Sequence, residues 1–118
     1  MPYEIRKKFR FSAAHRLAHL GPEHPCARVH GHNYEVEVVL AGGLDAEGMV
    51  FDYRGLARVK AWVDETLDHR DLSEVLAPLP ATAENLAAWV FARWRRDLDL
   101  LAAVRISETP DTWAEYRP

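Results

Sequence analysis

The chain contains a single cysteine, Cys26, among its 118 residues. One thiol cannot close an internal disulfide, so nothing in the sequence calls for an oxidising compartment or a stapled fold. Glutamine is absent, and asparagine occurs only at Asn33 and Asn85. No apolar run approaches the roughly 20 residues that a membrane-spanning helix requires. The opening Met1-Pro2-Tyr3-Glu4-Ile5 lacks the charged start and apolar core of a secretory signal. A cytoplasmic location without membrane association is the resulting expectation. Basic blocks are missing and the net charge is −3, which disfavours nucleic acid as a partner. No Gly-rich phosphate loop is present. With no repeat and no low-complexity tract, one domain over residues 1–118 is expected.

What is present is period-two alternation. Residues from about Tyr3 to Ala14 read as a strand with Ile5, Phe9 and Phe11 inward and Glu4, Arg6, Lys8 and Arg10 outward. A long connection, Arg16 to Val29, is broken by Gly21-Pro22 and His24-Pro25. A second strand from about His32 to Ala41 places Tyr34, Val36, Val38 and Leu40 inward and Glu35 and Glu37 outward. Those acidic positions complement the basic side of the first strand, which favours an antiparallel pair. Met49 to Phe51 reads as a short extended piece, and Asp52 as the cap of a helix reaching about Leu67. That helix carries the apolar stripe Leu56, Val59, Val63 and Leu67. Thr82 caps a second helix, from about Ala83 to Leu98. Strands follow at about Leu101 to Thr109 and Trp113 to Tyr116. The order ββααββ predicts an α+β domain, a four-stranded antiparallel sheet with two helices on one face. Its edge strands would be unpaired in a monomer, so an oligomer joining sheets edge to edge is expected.

The chemistry concentrates in Cys26-Ala27-Arg28-Val29-His30-Gly31-His32-Asn33-Tyr34. His30 and His32 share the inward parity of the second strand, and His15 has the inward parity of the first. A lone inward histidine is commonly a core residue satisfied by one hydrogen bond. Three imidazoles converging at one end of a shared face make a catalytic zinc set with an open fourth position. Cys26, four residues before His30, could be a fourth ligand in a closed structural site, a reactive thiol, or a buried free cysteine. Asp68-His69 closes the first helix. Adjacent residues do not face each other on a helix, so this pair can cooperate only if the helix ends there. Its plainer reading is a solvated C-terminal cap. Glu108 points inward beside Val104 and Ile106, where a carboxylate needs donors. An arginine could supply them, or a guanidine-like ligand edge such as that of a pterin or guanine ring. His19 and His24 receive no role.

These segments together resemble the 6-pyruvoyltetrahydropterin synthase family, and most of all its bacterial branch, the 6-carboxytetrahydropterin synthases of queuosine biosynthesis. The markers are the Phe11-Ser12-Ala13-Ala14-His15-Arg16-Leu17 run, Cys26-x-x-x-His30-Gly31-His32-Asn33, Leu67-Asp68-His69, Ala81-Thr82-Ala83-Glu84-Asn85 and Ser107-Glu108-Thr109. The resemblance implies zinc on His15, His30 and His32, with Cys26 as catalytic base and Asp68 and His69 completing the proton-transfer set. It implies that Glu108 anchors a pterin, with Thr82 nearby, although the paired threonines of some relatives are missing here. It also implies a tunnelling fold, whose sheets join into a barrel by oligomerisation, usually a hexamer built as a dimer of trimers. The short Cys-x-x-x-His spacing favours the carboxy-forming branch over the pyruvoyl-forming one. The nearest competing expectation is a 6-pyruvoyltetrahydropterin synthase or a related enzyme that cleaves a dihydropterin side chain; the one from another class is a zinc-stabilised, non-catalytic interaction module with Cys26 as fourth ligand.

Overall fold

A computed structural model describes residues 2–118 of the chain. Its frame is a long hairpin-like pair, β1 (Tyr3–His15) and β2 (His30–Gly42), antiparallel and in unbroken register from Tyr3 opposite Gly42 to His15 opposite His30. Alternation sorts the two faces as the sequence predicts. Phe9, Phe11, Ala13, Tyr34, Val36, Val38 and Leu40 are buried on one face. On the other, Arg6 pairs with Glu37 at 3.0 Å, Arg10 with Glu35 at 3.1 Å and Arg105 with Glu37 at 3.2 Å. The exposed Arg10–Glu35 pair is worth under about 1 kcal/mol. The contribution of all three is to cross-strand register and to keeping this face wet.

The buried face is roofed by helices. Asp52 accepts a hydrogen bond from the Arg54 amide and starts a 3₁₀ turn, Tyr53–Leu56, that runs into α1 (Ala57–Thr66). Leu56, Val59, Val63 and Leu67 are all at most 1 % exposed, so the stripe read from the sequence is the packing seam. Thr82 accepts from the Asn85 amide and starts α3 (Ala83–Trp94), which packs on β3 (Leu101–Thr109) and β4 (Thr112–Tyr116). The sheet order is β1-β2-β3-β4, antiparallel throughout. This is the expected α+β sheet with helices on one side.

Three details differ from the sequence reading. Met49 to Phe51 forms no strand. Asp45 accepts from the amides of Glu47 and Met49 and its own amide donates to the Met49 carbonyl, closing a tight turn through Gly48 at φ +79°. A one-turn helix, α2 (Leu72–Val75), stands between α1 and α3, capped by Asp71. Four residues are too few to display a helical period. The helix α3 stops at Trp94 rather than near Leu98; Leu98 is only 3 % exposed because a turn, not a helix, folds it back under the core.

The strand pair makes the molecule long, 56 × 25 × 24 Å. Its radius of gyration is 15.3 Å, against about 13.5 Å for a compact domain of this length. Both sheet edges, β1 and β4, lack a neighbouring strand among the described residues.

Candidate metal centre and adjoining cleft

The register that pairs β1 with β2 sets His15 directly opposite His30, and alternation puts His32 on the same side one pleat further on. The three rings meet edge to face, with centroids 4.5, 5.1 and 5.0 Å apart. One nitrogen from each lies within 4.8 Å of the others. His15 is 1 % exposed and the other two are half-buried.

Backbone carbonyls decide which nitrogens face the centre. His15 Nδ1 lies 2.7 Å from the Ala81 carbonyl oxygen, and His30 Nδ1 lies 2.7 Å from that of Arg28. A carbonyl only accepts, so each Nδ1 carries the proton and each Nε2 keeps a lone pair. Yet the two Nε2 atoms stand 2.9 Å apart. Two neutral acceptors have no bond to make at that distance, whereas a shared cation satisfies both. Imidazoles oriented through Nδ1 by carbonyls are the usual second shell of a metal ligand set. Burial lowers the pKa of His32 from its ordinary value; the Glu108 charge opposes this, and His15 and His30 add to it. The net effect favours the neutral, ligating form. The donor set therefore fits a divalent metal that accepts nitrogen ligands.

Two cavities flank the triad and share Ser12, Gly31, His32 and Asn33 in their walls. The larger, about 700 Å³, also has Phe11, Tyr34, Asp68 and Glu108 in its wall. The second, about 550 Å³, adds His69, Arg70 and Asp71. A Cβ on Gly31 would meet only the Ala13 carbonyl, at 3.6 Å. The strands do not demand glycine there, and the space it leaves opens on the cleft.

Asp68 and His69 come together because the helix ends before them. α1 stops at Thr66, and His69 takes φ +58°, a left-handed conformation uncommon for a residue with a Cβ. Backbone bonds to β1 hold it there. The His69 amide donates to the Ser12 carbonyl at 2.6 Å, and the Ala14 amide donates to that of Arg70 at 3.0 Å. Asp68 Oδ1 accepts from the Ser12 amide at 2.9 Å, and Oδ2 lies 2.9 Å from His69 Nδ1. The Ser12 amide, and then His69, hold the Asp68 carboxyl below its ordinary value. An ionised Asp68 fixes the Nδ1–H tautomer of His69 and leaves Nε2 free on an exposed ring. The cap reading gives way, since His69 stands three residues past the helix and caps nothing.

Glu108 stands in the wall of the larger cavity, and its carboxylate has no hydrogen bond or ion pair among the described residues. The arginine that could have satisfied it is not there. Cys26 and Thr82 are placed differently. Cys26 lies half-buried on a 3₁₀ turn, Pro25–Ala27; it belongs neither to the metal-binding cluster nor to the wall of either cavity. Thr82 caps α3, next to the Ala81 carbonyl that orients His15.

Two side chains passed unnoticed in the sequence. His24, given no role, accepts the Cys26 amide on Nδ1 at 3.1 Å and so caps the turn that carries the thiol. The chain's other caps of this two-residue reach at Asp45, Asp52 and Asp71 all use a carboxylate. Tyr34, read only as core, has a buried hydroxyl with no partner among the described residues. A histidine immediately before a proline-led turn could have signalled the first; nothing in the alternation signals the second.

Comparison with known proteins joins these observations to a lineage. A 6-carboxy-5,6,7,8-tetrahydropterin synthase of Synechocystis is 35% identical over 119 residues, covering 95% of this chain and 91% of that one. The enzyme of the same name from Bacillus subtilis is 32% identical over 126 residues, covering 98% and 86%. The solved structure of Caenorhabditis elegans 6-pyruvoyl tetrahydropterin synthase superposes with a TM-score of 0.86 at 30% identity, over 98% of this chain and 95% of that one. The profile of the family described as 6-pyruvoyl tetrahydropterin synthase matches residues 4–118. With the strand-end histidine triad, the Asp-His turn and the unpaired glutamate all inside that span, the chain belongs to the 6-pyruvoyl tetrahydropterin synthase family.

Proposed function

We propose that this protein is a zinc-dependent 6-carboxy-5,6,7,8-tetrahydropterin synthase. It would convert 7,8-dihydroneopterin triphosphate and water to 6-carboxytetrahydropterin, acetaldehyde and triphosphate, a step of queuosine biosynthesis. The observation that carries this reading is a cavity whose wall holds both His32, one of three metal-competent imidazoles, and the unpaired Glu108 carboxylate. Relatives from two bacteria bear this activity in their names. The short Cys26-to-His30 spacing favours this branch over the pyruvoyl-forming one.

His15, His30 and His32 would hold the zinc through the nitrogens that face one another. Bound there, the metal supplies Lewis acidity toward the hydroxyls of the substrate side chain. Glu108 accepts the ring N–H and 2-amino group of the pterin in a two-point charge-assisted contact. Thr82 contributes to pterin binding from the cap of α3. His69 exchanges a proton at Nε2, while Asp68 Oδ2 holds Nδ1 and stabilises the ring when it becomes cationic. Cys26 carries the other proton transfer from the loop that leads into His30. The non-catalytic alternative required Cys26 as a fourth ligand, and its sulfur lies outside the cluster.

The subunit is read as one domain of a cytoplasmic homo-oligomer, a hexamer formed as a dimer of trimers. Support comes from the open β1 and β4 edges and the elongated shape. The arginine–glutamate face would then line a wet tunnel. Incubating the metal-loaded protein with dihydroneopterin triphosphate and identifying the products by mass tests the function. Carboxytetrahydropterin with acetaldehyde is expected; a pyruvoyl product, or none, refutes it.

A further inference from the structure

Tyr34 and Glu108 stand on adjacent strands, and each lacks a partner. The register of β2 with β3 ends with Glu35 opposite Ser107, and one residue beyond that pair on each strand stand Tyr34 and Glu108, both of inward parity. Tyr34 is 1 % exposed, and its hydroxyl has no hydrogen-bond partner among the described residues. Its ring stacks on Phe11 with centroids 5.0 Å apart and planes 5° from parallel. Phenylalanine would make that stack equally well without burying an orphan hydroxyl, so packing does not account for the oxygen. Glu108 likewise makes no hydrogen bond or ion pair among the described residues, and both residues belong to the wall of the same cavity. The Glu108 charge is felt at Tyr34 and at His32 alike. The two make no hydrogen bond to each other in this structure, so their contact requires the Glu108 carboxylate, which nothing else among the described residues holds, to turn toward the hydroxyl.

We infer that Tyr34 is a positioning residue for Glu108: its hydroxyl donates to the carboxylate and fixes the orientation in which Glu108 meets a pterin ring. A carboxylate offers about four lone-pair sites, so it can accept this bond and still receive two from the ligand. Without the tyrosine, the glutamate must be ordered by the ligand itself, at the expense of affinity. This inference rests on the reading of Glu108 as the pterin anchor.

The test is a double-mutant cycle in the metal-loaded protein, with 7,8-dihydroneopterin as probe because it has no triphosphate to lose. Affinity is measured by calorimetry for wild type, Tyr34→Phe, Glu108→Ala and the double variant, with metal content and ligand-free melting taken on the same samples. Tyr34→Phe should weaken binding about tenfold, the size of one hydrogen bond to a charged group. In the Glu108→Ala background the same change should have no effect. Metal content should stay unchanged, and the ligand-free protein should still unfold in one cooperative transition. Wild-type affinity in Tyr34→Phe beside a weak Glu108→Ala overturns the inference and leaves Glu108 in place. Additive losses, or loss of metal or of cooperative unfolding in Tyr34→Phe, overturn it too. Wild-type affinity in Glu108→Ala removes the anchor, and the inference with it.

Discussion

The three imidazoles face one another at the same centre, but the fold holds them by different means, and alanine substitutions should separate the two. Replacing His15 or His30 by alanine removes one ligand of three, so both variants should lose most of their metal. Without metal they should diverge. His15 is fully buried, and its Nδ1–H bonds the Ala81 carbonyl across 66 positions of sequence. His15→Ala leaves that carbonyl without a partner, costing about 1–3 kcal/mol, and opens a void in packed surroundings. A total of about 2–4 kcal/mol is expected, which at about 4 °C per kcal/mol lowers the melting temperature by about 8–16 °C. His30 is half-buried, and its Nδ1 partner is the carbonyl of Arg28 two residues away on an exposed loop, where water can substitute. Its removal also ends the lone-pair apposition at 2.9 Å. Metal-free His30→Ala should therefore stay within about 1 kcal/mol of metal-free wild type. The assay is thermal unfolding in chelator, with metal content measured on parallel untreated samples. Equal losses in the two variants would refute the account of how His15 is held. Full metal occupancy in the triple alanine variant of His15, His30 and His32 would refute the metal centre itself.

Glu108→Gln replaces one acceptor oxygen by an NH₂ that faces a ligand donor; pterin affinity should fall by about 1.5–3 kcal/mol with metal content unchanged, as titration calorimetry and metal analysis will report. Asp68→Asn keeps an acceptor for the Ser12 amide but withdraws the charge that orders His69, so kcat should drop by about 10²-fold or more while the fold persists. Asp68 is held below its ordinary value of 3.8, so its share of stability is present above that pH and lost as pH falls through the folded value; acid unfolding of Asp68→Asn should show a shallower slope there. Light scattering at working concentration should give a mass that is a multiple of three subunits, and a monomer would contradict edge pairing.

Much of this could be read from the chain because strands write their faces in alternate letters. Phe9, Phe11, His15, His32, Tyr34 and Val36 declare one side, and the opposed charges of Arg6, Lys8, Arg10, Glu35 and Glu37 declare the other. Parity implies the convergence of three histidines once the two strands are neighbours. It could not give their orientation, which depends on the carbonyls of Ala81 and Arg28 arriving from a linker and a loop. The Asp68–His69 contact was legible only as a condition, because it depends on one residue adopting φ +58°. Helix α2 was invisible for want of length, and α3 was read too long because Leu98 is buried without being helical. Tyr34 illustrates a limit of parity: it marks a side chain as inward, while saying nothing of whether its hydroxyl finds a partner once there.

The direct opposition of His15 and His30 closes the last rung of the β1–β2 ladder. Strand ends fray, opening on a free-energy scale well below global unfolding. A ligand bridging that last rung must be released before the rung can open, so occupancy adds RT ln(1 + [L]/Kd) to the local opening energy. With metal bound, the centre would thus act as a clasp on the ladder. Amide hydrogen exchange of the ladder bonds at the His15–His30 end should slow on metal addition by the factor that occupancy dictates, while exchange at the Tyr3–Gly42 end stays as it was. Exchange at one end of one strand pair then becomes a direct gauge of metal affinity, readable without any substrate.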